Sequence, residues 1–157
     1  MSRRFLFICT HNRCRSILAE AITRQLGDGQ IEAASAGSQP AGEIHPLSLR
    51  FLREHGIDTS GLKNQSWHEF EHFQPHAILT MCDQAAEEVC PVWFGASQRQ
   101  HWGLTDPSRV TGSDEDVRRA FQYTIKEIER RVKSLLEQDV ANMDSQELAY
   151  HLKRLAA

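Results

Sequence analysis

In the stretch CTHNRCRS (9–16), Cys9 and Arg15 are separated by five residues, and Ser16 follows at once. A loop of that length wraps a tetrahedral oxyanion with its backbone N–H groups turned inward. A helix starting at its end adds free N–H groups and the positive end of its dipole. Arg15 brings a planar fork that binds two anion oxygens. Cys9 then lies beneath the central atom, where the positive surroundings are expected to lower its pKa and make it a thiolate nucleophile. Thr10, His11, Asn12, Arg13 and Cys14 complete the loop. Asn12 suits a position forced to positive φ, and Ser16 is expected to hydrogen-bond the thiolate or cap the helix. No G-K-[ST] is present, so this is not a Walker loop.

Elements on either side must hold this loop. Phe5 to Ile8 is a short apolar run, the mark of a strand buried on both faces. Ile17, Leu18, Ala21, Ile22 and Leu26 recur at helical spacing, closed by Gly27. IEAASAG (31–37) reads as a second strand. HPLSLRFLREHG (45–56) reads as a helix with Pro46 in its first turn and Gly56 past its end. Ser66 and Glu69 form a capping box that opens a short helix before Pro75. HAILTMC (76–82) is a third strand and RQHWGL (99–104) a weaker fourth. Ser113 and Asp116 open a long amphipathic helix with the stripe Val117, Phe121, Ile125, Ile128, Val132 and Leu135. DSQELAYHLKRLAA (144–157) is a short added helix.

Strands alternating with helices predict an α/β fold: an open, mainly parallel four-stranded sheet with helices on both faces. The expected division is a main domain over 1–138 and a helical extension over 139–157. In such sheets ligands bind beyond the carboxyl ends of the strands. CTHNRCRS, MCDQ (81–84) and LTDPS (104–108) all fall there, so three distant loops converge on one site.

Composition narrows the partners. The 157 residues carry a formal net charge of -3, which speaks against a nucleic-acid or anionic-membrane binder. MSRRFLFIC is too short for a signal h-region, and no run reaches transmembrane length. A cytoplasmic setting is expected, where thiols stay reduced. The four cysteines, Cys9, Cys14, Cys82 and Cys90, then call for chemistry rather than stapling. A zinc-protease reading of HEFEH (68–72) fails on context. Glu69 belongs to the Ser66 capping box, Pro75 ends the helix, and no third ligand follows. The C-x4-C and C-x7-C spacings are also poor for structural zinc, so no metal site is expected from these residues.

CTHNRCRSILAEA resembles the phosphate-binding loop of the low-molecular-weight protein tyrosine phosphatases and of the arsenate reductases that share their fold. The resemblance continues in order through SAG (35–37), HPLSLRFLREHGID (45–58), MCDQAAEEVCP (81–91) and HWGLTDPS (101–108). His11 departs from it, since relatives commonly carry Gly there. Both activities need the loop and an acid. Asp106 precedes Pro107, which biases it to an extended conformation, and it is the natural donor of a proton to an oxygen leaving group.

Ester hydrolysis consumes no electrons, whereas arsenate reduction takes two, which two thiols supply by forming one disulfide. The resemblance implies a relay: Cys9 attacks arsenic, Cys82 attacks Cys9 and releases arsenite, and Cys90 attacks Cys82. Thioredoxin, or a glutaredoxin, would then reduce the Cys82–Cys90 disulfide. Ser108 and Arg109 follow the Asp-Pro pair where phosphatases of this fold usually carry aromatic residues, which favours a small inorganic oxyanion. The alternatives are a phosphotyrosine phosphatase under redox control and a non-enzymatic thiol sensor. Some relatives hold potassium beside the loop. Asn12, Glu20 and Ser35 are the residues that would serve here, although GLKNQ (61–65) lacks a carboxylate to complete the site.

Overall fold

The computed structural model describes residues 2–91, 94, 95 and 97–156. Strand β1 (Arg3–Ile8) is followed by helix α1 (Arg15–Gly27), β2 (Ile31–Ala36), α2 (Pro46–Glu54) and β3 (Ala77–Thr80). The five-residue helix α3 (Asp83–Glu87), β4 (Gln98–His101), the long α4 (Asp114–Glu137) and α5 (Ser145–Arg154) complete the chain. The strands form one parallel sheet in the order β2-β1-β3-β4. Among the described residues, no helix is long and apolar enough to cross a membrane.

β1 is central and divides the core. Phe5 and Phe7 point into a cluster with residues of α1, α2, α4 and α5, while Leu6 and Ile8 point into a second cluster with Trp67, Ile78 and Phe94, as alternation along a strand requires. The long helices therefore share one cluster. The other is covered by the 3-10 turn Trp67–Phe70 and by α3, of which only Ala85 is buried. That 3-10 turn opens on the Ser66–Glu69 capping box, so HEFEH does not lie on an α-helix. α1 closes one residue later than expected, because Asp28 rather than Gly27 takes the left-handed conformation (φ 41°).

The expected α4 stripe is present: Phe121, Ile125, Ile128, Val132 and Leu135 are buried, and the Ser113–Asp116 box caps the helix. Trp102, fully buried after β4, ties this layer together. Its indole N–H donates to Leu152 O at 2.8 Å, and its own carbonyl accepts from Arg131 Nη1 at 3.0 Å. α5 thus packs into the main core, with Leu148, Leu152 and Leu155 all buried in it. Leu152→Ala is expected to cost about 2–4 kcal/mol, as for other buried leucines. Urea unfolding checks this; a loss under about 0.5 kcal/mol, the range of surface changes, would mean that α5 is not part of the core.

Candidate active site

The loop that follows β1 is defined by where its carbonyls go. Thr10 O accepts from Gln39 N (2.9 Å) and His11 O from Ala41 N (3.2 Å). The Asn64 side-chain amide donates to both His11 O (2.8 Å) and Asn12 O (2.7 Å). Arg13 O accepts from His45 N (3.1 Å) and the Ser48 hydroxyl (3.1 Å). With the carbonyls paired to surrounding segments, the amides of His11, Arg13 and Cys14 donate to no protein acceptor among the described residues. They form the nest that an oxyanion requires. Asn12 sits at φ 49°, as expected. Gly37 presses so close that a Cβ there would stand 2.5 Å from Thr10 O and 2.8 Å from Cys9 O, which explains the glycine of SAG.

A buried polar chain holds the loop from behind. Asn12 Oδ1 accepts from Gln65 N (2.9 Å), and Asn12 Nδ2 donates to the hydroxyls of Ser16 (2.9 Å) and Ser35 (3.0 Å). Ser35 donates to Glu20 Oε1 (2.6 Å), and Glu20 Oε2 pairs with Arg24. One expectation is corrected here. Ser16 neither caps α1 nor reaches a thiolate; its oxygen serves Asn12, and the N-cap is Cys14 without a side-chain bond. Asn12, Glu20 and Ser35, the residues expected to serve potassium, form this one chain: Asn12 Oδ1, Ser35 Oγ and Glu20 Oε1 accept from protein donors, and the Arg24 guanidinium supplies a positive charge opposite Glu20.

The three loops do converge. A cleft of about 460 Å3 is lined by Cys9, Thr10, His11, Arg13, Cys14 and Arg15, by Cys82, Asp83 and Gln84, and by His45, Asp106, Ser108 and Arg109. Arg15 Nη1 donates to Leu104 O (2.9 Å), and Nη2 lies 3.7 Å from Asp106 Oδ2. Asp106 Oδ1 accepts from the Ser108 amide (2.9 Å) and hydroxyl (2.6 Å), which fixes the carboxyl group and leaves Oδ2 toward Arg15 and Arg109. His45, absent from the sequence reading of the site, lines the cleft. Its Nδ1 accepts from Leu47 N (3.1 Å) as the N-cap of α2, and burial followed by the Arg13 charge lowers its pKa. The signal for it was positional: a polar cap before Pro46.

Cys9 and Cys82 both line the cleft, and each perturbs the titration of the other. They titrate as a pair that holds one thiolate, with the second proton hard to remove. Cys9 is raised, first by the neighbouring Cys82 thiol and then by burial, against the pull of Arg15. Cys82 is lowered to about 5 by the Cys9 thiol, opposed by burial and assisted by the Thr10 and Ala85 amides and the Thr10 hydroxyl. Burial pushes Cys14 up to about 12, so it stays a thiol. Cys90, beyond the far end of α3, is half-buried against the second core cluster and is raised by burial.

The chain belongs to the low molecular weight phosphotyrosine protein phosphatase family, whose model matches residues 4–147. An arsenate reductase of Halalkalibacterium halodurans is 31% identical over 131 residues, covering 83% of this chain and 93% of the relative. A glutaredoxin arsenate reductase of Synechocystis is 28% identical over 134 residues, 85% of this chain and 96% of the relative. The thioredoxin-dependent arsenate reductase of Corynebacterium glutamicum superposes with a TM-score of 0.67 at 30% identity. That match covers 90% of this chain, which spans 64% of the longer Corynebacterium chain.

Two outcomes follow from this geometry. Exchanging Na+ for K+ at fixed ionic strength should leave the melting temperature within about 1 °C, because a ligand without a site contributes no linkage. A potassium-specific rise of several degrees would contradict the Arg24–Glu20 pairing. Thiolate absorbance near 240 nm should show one equivalent surviving down to about pH 5, lost as pH falls through the Cys82 value. It should disappear from that range in Cys82→Ser.

Proposed function

We propose that this protein reduces arsenate to arsenite through Cys9, Cys82 and Cys90, with thioredoxin as reductant, in a reducing compartment such as the cytoplasm. The placement of Cys9 and Cys82 at the ends of adjacent strands, both lining one cationic cleft, carries the reading. Hydrolysis needs one sulfur there; two-electron reduction needs two.

The inward amides and Arg15 bind the oxyanion at the end of α1. The Cys9 proton passes to Cys82, and the Cys9 thiolate attacks arsenic, displacing an oxygen that leaves as water with a proton from Asp106. Cys82, deprotonated again, attacks Cys9 Sγ. The S–S bond forms, the As–S bond breaks with its electron pair kept by arsenic, and arsenite departs. Cys90 then attacks Cys82 Sγ, forming the Cys82–Cys90 bond and expelling Cys9 as thiolate. The sum is arsenate plus two thiols giving arsenite, one disulfide and water. A disulfide within one chain suits a dithiol donor such as thioredoxin, while the Synechocystis relative keeps a glutaredoxin system as the alternative donor.

Family membership supports a second reading, a phosphotyrosine phosphatase under redox control. Ser108 and Arg109 at the cleft mouth, with no Phe, Tyr or Trp lining it among the described residues, favour the inorganic oxyanion.

Cys9→Ser should abolish arsenate reduction and aryl-phosphate hydrolysis together, and Arg15→Lys should lower both by about a hundredfold or more. Cys90→Ser should complete one turnover and accumulate a Cys9–Cys82 disulfide, seen by mass spectrometry of non-reduced digests. Cys82→Ser should stop before any disulfide forms. Full thioredoxin-coupled turnover by the Cys82→Ser, Cys90→Ser double variant would refute the relay and leave the phosphatase.

A further inference from the structure

Between Cys82 and Cys90, which touch the second core cluster, the segment is held mostly by polar contacts. Cys82 and Cys90 are separated by seven residues, five of which form α3. Five helical residues alone rise about 7.5 Å, whereas a disulfide tolerates Cα atoms only about 4.4–6.8 Å apart. With α3 intact, Cys90 reaches Cys82 only if the residues after the helix turn back along it; unwinding the segment removes that constraint. Little apolar surface opposes this, since Ala85 is the one buried residue of α3.

Three polar groups do oppose it. Arg99 Nη2 donates to the carbonyls of Ala85 (3.1 Å), Ala86 (3.2 Å) and Glu88 (3.0 Å), and His101 Nε2 meets Asp83 Oδ1 at 3.0 Å. Both come from the neighbouring β4. Glu88 reaches the other way, across the cleft floor. Its Oε1 accepts from the Thr10 hydroxyl (3.2 Å), and its Oε2 accepts from the Ser38 hydroxyl in the loop after β2. It ties the far end of this segment to the oxyanion loop. The same Thr10 hydroxyl lies 3.7 Å from Cys82 Sγ, and it has one proton to donate. Glu88 and Cys82 therefore compete for that proton.

We propose that Glu88 is a positioning residue: its carboxylate, hydrogen-bonded to Thr10 and Ser38, latches the Cys82–Cys90 segment in the reduced form, and its release accompanies formation of the Cys82–Cys90 disulfide. This rests on the thiol-relay reading. The latch exists only with the segment folded, so it stabilises the dithiol over the disulfide. Its loss frees the chain between the two sulfurs.

The test is the thiol–disulfide equilibrium of Cys82 and Cys90 against a dithiothreitol redox buffer. A Cys9→Ser, Cys14→Ser background leaves these as the only thiols. Glu88→Ala should shift the equilibrium five- to tenfold toward the disulfide, which for two electrons is about 20–30 mV more negative. Glu88→Gln, which keeps an acceptor for Thr10, should recover part of that shift, and Ser38→Ala should produce a two- to threefold shift through one lost bond. A merely structural role for Glu88 would lower the melting temperature without this graded order. Equilibria within twofold of the background for both Glu88→Ala and Ser38→Ala overturn the latch. If Cys90→Ser in the otherwise native chain still blocks a second turnover, the relay survives that result; multiple turnover by Cys90→Ser removes the relay and the latch's role with it.

Discussion

The structure depends on the outward pairing of the carbonyls in the Cys9–Arg15 loop. A peptide unit carries its N–H and C=O on opposite sides, so carbonyls fixed by Gln39, Ala41, His45 and Asn64 leave the amides facing in. The anion site is thus built by what surrounds the loop. Gly37 is needed because its backbone passes where a Cβ would strike Thr10 O and Cys9 O. Asn12 is needed because it accepts positive φ while its buried amide links Gln65, Ser16 and Ser35. Arg24, paired with the fully buried Glu20, neutralises a carboxylate that would otherwise be costly so deep in the protein.

Sheet register does for sulfur what the carbonyls do for the anion. Ile8 stands beside Thr80 in the parallel ladder, and Met81 N donates to Ile8 O at 2.8 Å. Two residues distant in sequence, Cys9 and Cys82, therefore leave adjacent strands side by side. Their proximity makes the charge of either depend on the other, which is why a helix terminus and an arginine do not alone decide which sulfur is the thiolate.

The two halves of the cleft differ in stiffness for a physical reason. The oxyanion loop is cross-braced by buried hydrogen bonds and backed by α1 and the main core. α3 has five residues, one of them buried, and polar ties at its ends. A rigid anion nest beside a segment able to refold is what a relay between distant thiols demands, since local opening free energy follows buried apolar contact.

The chemistry-bearing residues were legible from the chain alone because their signals are local. Cys9 and Arg15 keep a fixed spacing between an apolar run and a helix, Asp106 precedes a proline, and the capping boxes at Ser66 and Ser113 are contiguous patterns. The four strands, their parallel arrangement and the convergence of three loops followed from alternation of elements in the same way. What the chain could not disclose arises between residues far apart in sequence. The thiolate preference within the Cys9–Cys82 pair, Arg24 set against Glu20 in place of a free cation, His45 at the cleft and Glu88 bridging Thr10 and Ser38 all depend on distances of a few ångströms set by packing. α5 teaches the same lesson. Its amphipathic pattern was visible, but only the buried Trp102, donating to Leu152 O across fifty residues, makes it part of the core. Local sequence specifies backbone conformation and residue chemistry; burial and partner choice are properties of the assembled fold, and those two decide charge and mobility at this site.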